Sequence, residues 1–270
     1  MQRQLIRLLR VLPSGLTGAL MAPVIPFYVL FDGKGRRASY LFFRDRIGMR
    51  PVQAFCHVFK NMAGMGWVVL DRFAAYGGRQ FRMVNENEDH YDAMLHQDQG
   101  FVMLGAHVGN FELVGYMLPT DKPLKVLVYA GETETVMDNR ERMFTRANIE
   151  MVPVKQDLSH LFTLHAALAD GEVVSMSGDR CFGSAKTIRC PFLGADAAFP
   201  AGPFQLVTRL GVPAICAFAL RESKDTYRIF QELLPATADA AELARRYASL
   251  LEKVVRRYPD QWYNFYDFWA

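Results

Sequence analysis

A chain of 270 residues that is 51% hydrophobic and 22% charged can bury a large core, which excludes a disordered segment. The formal net charge of +3 is unevenly spread. Residues 1–50 hold nine Lys/Arg against Asp32 and Asp45, or +7, so the remaining chain carries −4.

Residues 11–31, VLPSGLTGALMAPVIPFYVLF, form an uncharged run long enough to enter a bilayer. Arg3, Arg7 and Arg10 precede it, and Lys34, Arg36 and Arg37 follow. Pro13, Pro23 and Pro26 oppose a straight helical span, because each removes an amide donor and crowds the preceding turn. A helical hairpin, or a segment lying in the interface with its cations on anionic headgroups, is the easier structure. A cleaved signal peptide and a buried pair of core helices are the competing readings. Cys56, Cys181, Cys190 and Cys216 show no metal or redox spacing and read as reduced.

From residue 36 to 95 the apolar side chains recur at three- and four-residue steps, which predicts helices throughout and no strand. Beyond Gly100 the pattern changes to short apolar runs: GFVMLGA, KVLVYA, IEMVPV, EVVSMS, PAICAFAL and TYRIFQELL. Amphipathic segments alternate with them: FELVGYML, ETVMDNRERMFTRA, LSHLFTLHAALA, PFQLVTRLG and AAELARRYASLLEKVVRRY. That alternation predicts an α/β fold with a mostly parallel central sheet flanked by helices on both faces. Two regions follow: an N-terminal helical membrane-associating region, 1–95, and an α/β domain, 96–270.

The segment GFVMLGAHVGNFELVGYML places His107 directly after a buried strand, with Gly109 and Asn110 turning the chain into a helix that contains Glu112. On one continuous helix, residues five apart point about 140° away from each other, so the two could not meet. With His107 at the strand tip and Glu112 in the first helical turn, the carboxylate can fold back to the imidazole. It would then fix the tautomer and stabilise the imidazolium formed when the other nitrogen takes a proton. Strand C-termini are also where open α/β sheets bind ligands. The plainer alternative is a core histidine bonded to a backbone carbonyl.

Asp179 and Arg180 follow the strand EVVSMS and so belong to the same rim. Arg180 either binds an anionic group, such as an acceptor phosphate or a developing oxyanion, or pairs with Asp179 or Glu112. Arg140 either faces the cleft or lies on a solvated helix face. Asn110 is a favoured helix cap and a possible donor to a substrate carbonyl. The aromatic tail from Trp262 to Trp269 either packs on the sheet or docks at a membrane interface.

The block GAHVGNFE resembles the His, any four residues, acid motif of the lysophospholipid acyltransferase superfamily. More narrowly it is similar to the bacterial lipid A biosynthesis (late) acyltransferase family, with a Gly-Asn-aromatic-Glu string after the histidine. The GDR of residues 178–180, the PFLGADAAFPAGPFQLVTRLGVPAICAF block and the closing YPDQWYNFY fit the same family in order, covering most of residues 100–266. The resemblance implies that His107 is the general base and Glu112 its charge partner. It implies a fatty acyl thioester donor, on acyl carrier protein or coenzyme A, as co-substrate with no cofactor. It implies a membrane lipid acceptor and a location on the cytoplasmic face of the bacterial inner membrane, peripheral or monotopic. Neither nucleic acid nor metal is expected as a partner.

Phe199, Pro200, Ala201 and Gly202 stand where glycerolipid acyltransferases have Phe-Pro-Glu-Gly character, so glycerol 3-phosphate is not the expected acceptor. The chain is also short for a lipid A enzyme, which widens the acceptor to other lipids with a hydroxyl or amine.

A serine hydrolase built on Ser177 or Ser175, with Asp179 as the partner of His107, lacks the Gly-x-Ser-x-Gly elbow, and no HExxH or phosphate-binding loop is present. A non-catalytic lipid or carrier-protein binding module of the same fold is the rival from another class. The presence of both His107 and Glu112 argues against it.

Overall fold

The computed structural model describes residues 24–118, 120–128, 148–155, 157–181 and 186–270. Most of the apolar run at 11–31 and all of the helix expected around Arg140 lie outside them. The described part opens with α1 (Val24–Phe31) and α2 (Gly33–Leu41). Asp32 caps the second by accepting from the Gly35 N–H at 2.9 Å. A π turn, Phe42–Arg46, leads to the 26-residue α3 (Pro51–Tyr76). Proline at its first position forfeits an amide that has no helical partner there. No helix among the described residues is long and apolar enough to cross a membrane.

The helical expectation for 36–95 fails at β1 (Arg82–Glu86), which pairs in parallel with β9 (Thr226–Leu234) at the sheet edge. Its sequence, RMVNE, is only partly buried, because an edge strand is not enclosed like a central one. Apolar alternation is therefore weak there. Helix α4 (Glu88–Leu95) follows.

The other strands match the short apolar runs: β2 (Phe101–Gly105), β3 (Leu124–Val128), β4 (Ile149–Pro153), β5 (Val173–Ser177) and β8 (Ala214–Arg221). The seven-stranded order is β1-β9-β8-β2-β5-β3-β4. All neighbours run parallel except β8 with β9, so the sheet is mostly parallel. Helices α5 (Phe111–Met117), α6 (Ser159–Ala169), α7 (Ala201–Leu210) and α8 (Ala240–Arg257), with a 3-10 turn at Pro259–Gln261, complete the described helical set.

Successive strand residues face opposite sides. Val102, Leu104, Val174 and Met176 pack into one apolar cluster with Leu164, Phe204 and Leu251 from α6, α7 and α8. Phe101, Met103, Val173 and Ile215 join a second cluster with Phe73, Tyr91 and Leu113 from α3, α4 and α5. Both faces of the sheet are thus covered.

One feature without a forecast is the antiparallel hairpin β6 (Thr187–Phe192) and β7 (Ala195–Pro200). Leu193 and Gly194, at φ +52° and +79°, form its two-residue turn. Leucine is an uncommon choice for a left-handed position, which hid the turn. Glu252 of α8 holds it by accepting the Leu193 N–H at 2.6 Å.

Candidate active site

Register builds the site. Strands β2 and β5 are parallel neighbours with Gly105 opposite Ser177. Two residues beyond those partners stand His107 and Asp179, side by side at the strand tips. The His107 loop is fixed on several sides: its carbonyl accepts the Tyr263 N–H at 2.9 Å, and Gln261 accepts from Gly109 N–H at 2.8 Å. Asn110 N–H reaches the Ala219 carbonyl at 2.7 Å. Gly109, at φ +62°, lies so close to that carbonyl that a Cβ would sit 2.0 Å from its oxygen. The closing YPDQWYNFY stretch therefore serves the site by bracing the histidine loop, with Trp262 and Tyr263 buried and Tyr266 exposed.

Asp179 grips His107 with both oxygens. Oδ1 lies 2.8 Å from ring Nδ1, and Oδ2 accepts the His107 backbone N–H at 2.8 Å. The Ser177 hydroxyl donates to Oδ1 at 2.5 Å. Burial at 2% exposure would by itself raise the Asp179 pKa. The His107 charge, with hydrogen bonds from the His107 ring, Ser177 and the His107 backbone, outweighs that and holds the carboxyl below its ordinary value. An ionised carboxylate on Nδ1 assigns the ring proton to that nitrogen and leaves Nε2 with its lone pair. Nε2 has no hydrogen-bond partner among the described residues, and the ring lines a cavity.

This arrangement corrects the expected partnership. Glu112 does not bond to the imidazole: Arg72 Nη1 donates to its Oε1 at 2.8 Å, and Tyr76 Oη donates to its Oε2 at 2.6 Å. A carboxylate buried in the first turn of α5 needs a cation and a donor, and the end of α3 supplies both. The Nδ1 position it would have taken is already filled by Asp179. Glu112 nonetheless lines the same cavity as His107.

Arg180 also lines that cavity and makes no ion pair among the described residues, unlike the pairing considered with Asp179 or Glu112. Its Nη2 donates to the Tyr263 carbonyl at 2.9 Å and its Nε is buried without a partner. Asn110 occupies the N-cap position of α5 but makes no side-chain capping bond. Its amide donates instead to the Val68 carbonyl at 3.3 Å, and its Oδ1 has no partner among the described residues. Arg140 lies outside the described residues.

The cavity has a volume of about 640 Å³ and a largely apolar wall that includes Met103, Val114, Val126 and Ile149. Among the described residues no group of three or more His, Cys, Asp or Glu could hold a metal ion. A serine nucleophile is poorly served. Ser177 Oγ lies 3.4 Å from Nδ1, on the nitrogen that Asp179 holds, and not on the free one.

A hydrogen-bonded acid–histidine pair beside a largely apolar cavity, at the carboxyl ends of a mostly parallel sheet, is an arrangement suited to acid–base chemistry. The model of one family, described as bacterial lipid A biosynthesis acyltransferase, matches residues 56–270, and the chain belongs to that family. Membership makes it an acyltransferase of lipid A-type biosynthesis. Comparison with curated proteins finds none that matches.

The pairing of Asp179 with His107 belonged only to the serine-hydrolase reading, and the contacts of Arg72 and Tyr76 with Glu112 were not foreseen. Strand order was the missing signal: once β2 and β5 are adjacent and in register, the residues two past each end must meet.

Proposed function

We propose that the enzyme moves a fatty acyl group directly from a thioester carrier, acyl carrier protein or coenzyme A, onto a hydroxyl or amine of a bacterial lipid. His107 Nε2 removes the acceptor proton as the acceptor oxygen or nitrogen attacks the thioester carbonyl. The C–S bond then breaks, and the imidazolium returns its proton to the departing thiolate. Asp179 holds the tautomer and stabilises the imidazolium. Glu112, bound by Arg72 and Tyr76, shapes the wall beside the reacting atoms. Arg180 is the cation available for an acceptor phosphate or the oxyanion of the tetrahedral intermediate.

The observation that carries this reading is the His107–Asp179 pair set against a cavity suited to an alkyl chain in a member of an acyltransferase family. The apolar wall of the cavity favours a lipid acceptor or acyl donor over a polar metabolite. Contact with the inner face of the bacterial inner membrane fits the exposed Phe27, Phe31, Val52 and Phe55, which accompany the basic residues of the N-terminal helices.

The test is to incubate the purified chain and a bacterial lipid extract with isotopically labelled acyl thioesters of both carriers. One lipid species should gain a single labelled acyl mass. Release of free fatty acid from both donors with no labelled lipid would overturn the proposal.

A further inference from the structure

Three rows of residues, fixed by strand register, descend from the histidine on the α5 side of the sheet. Gly105 faces Ser177 in the first, and Met103, Ser175 and Val126 share the second. Phe101, Val173, Leu124 and Ile149 share the third. The first two rows line the cavity, whereas Phe101, Val173 and Leu124 are sealed in the core and only Ile149 of their row borders the space.

The upper end is open. A Cβ built on Gly105 would meet no atom within 4 Å, so nothing crowds the passage beside the histidine. At the lower end α5 lies over the sheet at Gly115, which lines the cavity together with Ile149. There a Cβ would lie 3.4 Å from Leu124 Cδ2 and 4.0 Å from Ile149 Cδ1.

We infer that this end wall, made by Ile149 and Gly115 beneath Met103, sets the length of the acyl chain the enzyme accepts, a conclusion that rests on the proposed acyl transfer. From the His107 level to the Met103 row is four strand residues and to the sealed row six, or roughly 13 to 20 Å. An extended chain advances about 1.2 Å per bond, a third of the span per residue of an extended backbone. The space therefore holds about 11 to 17 bonds, the length of an acyl chain of about 12 to 18 carbons.

Displacement of a fluorescent fatty acid from the full chain by saturated fatty acids of about 8 to about 22 carbons tests this directly. Affinity should rise about fourfold per methylene while each carbon finds apolar wall, then stop rising at about 12 to 18 carbons. In Ile149→Ala, which deepens the end, the break should move about two carbons longer. In Gly115→Ala, where the methyl group fits at ordinary contact distance, it should move one or two carbons shorter, with the same shift in the preference among acyl thioesters. A break unmoved in both variants, or affinity climbing without a break, would overturn the inference. Chain binding with the expected break but no transfer from any thioester would instead remove the acyl-transfer reading and leave the length limit standing.

Discussion

Asp179 bonds both the ring Nδ1 and the backbone N–H of His107, each at 2.8 Å, so one carboxylate fixes the orientation of the imidazole and the loop that carries it. The pairing follows from parallel register between two strands whose sequences lie some seventy residues apart. Replacing Asp179 with asparagine keeps the shape and removes the charge that stabilises an imidazolium. The turnover number should fall about 10²- to 10⁴-fold with little change in KM, measured on purified protein. Loss confined to KM would mean that Asp179 binds substrate instead.

The same carboxylate gives a pH signature. Its pKa is lower folded than unfolded, so its contribution to stability is complete above the unfolded value of about 3.9 and disappears as pH falls through the folded value. Chemical denaturation of wild type and Asp179→Asn should give a stability gap that is constant at neutral pH and narrows below about pH 4. A gap that widens on acidification would contradict the depressed value.

Glu112 belongs to a different set of contacts, and its variants should separate from those of Asp179. Glu112→Ala leaves Arg72 mostly buried without its carboxylate and should cost about 3 kcal/mol of stability. The double variant Arg72→Met with Glu112→Leu should recover much of that in the same denaturation experiment. Glu112→Ala should also retain more transfer activity than His107→Ala. Equal losses with unchanged stability would return Glu112 to the role of direct partner.

Ser177 is bonded to Asp179 on the Nδ1 side, away from the basic nitrogen. Ser177→Ala should keep transfer within about tenfold, since it removes one of several bonds to the carboxylate. Intact-mass measurement during turnover should show no acylated protein. An acyl adduct on Ser177 that forms and decays at the turnover rate would replace direct transfer by a two-step mechanism.

Much of the fold was legible because central strands of a parallel sheet are buried on both faces and read as unbroken apolar runs, as FVMLG and AICAFALR do. The edge strand RMVNE and the hairpin turning on Leu193 and Gly194 were hidden for the opposite reason, carrying little apolar patterning and an unusual turn residue. At the site, His107 was visible from its strand-to-helix setting. Its partner was not, because local spacing favoured Glu112, five residues on, while the bond is made across the sheet by Asp179. Arg72 and Tyr76 were missed because nothing in the α3 sequence marks which of its polar residues will meet a carboxylate on another helix.

Transfer depends above all on the Nε2 of His107 removing the acceptor proton. Single-turnover transfer from a saturating acyl thioester to the lipid acceptor, compared for wild type and folded His107→Ala, tests it most directly. The rate constant should fall at least a hundredfold, with part of the loss restored by added imidazole. A rate within a few-fold of wild type would contradict the account.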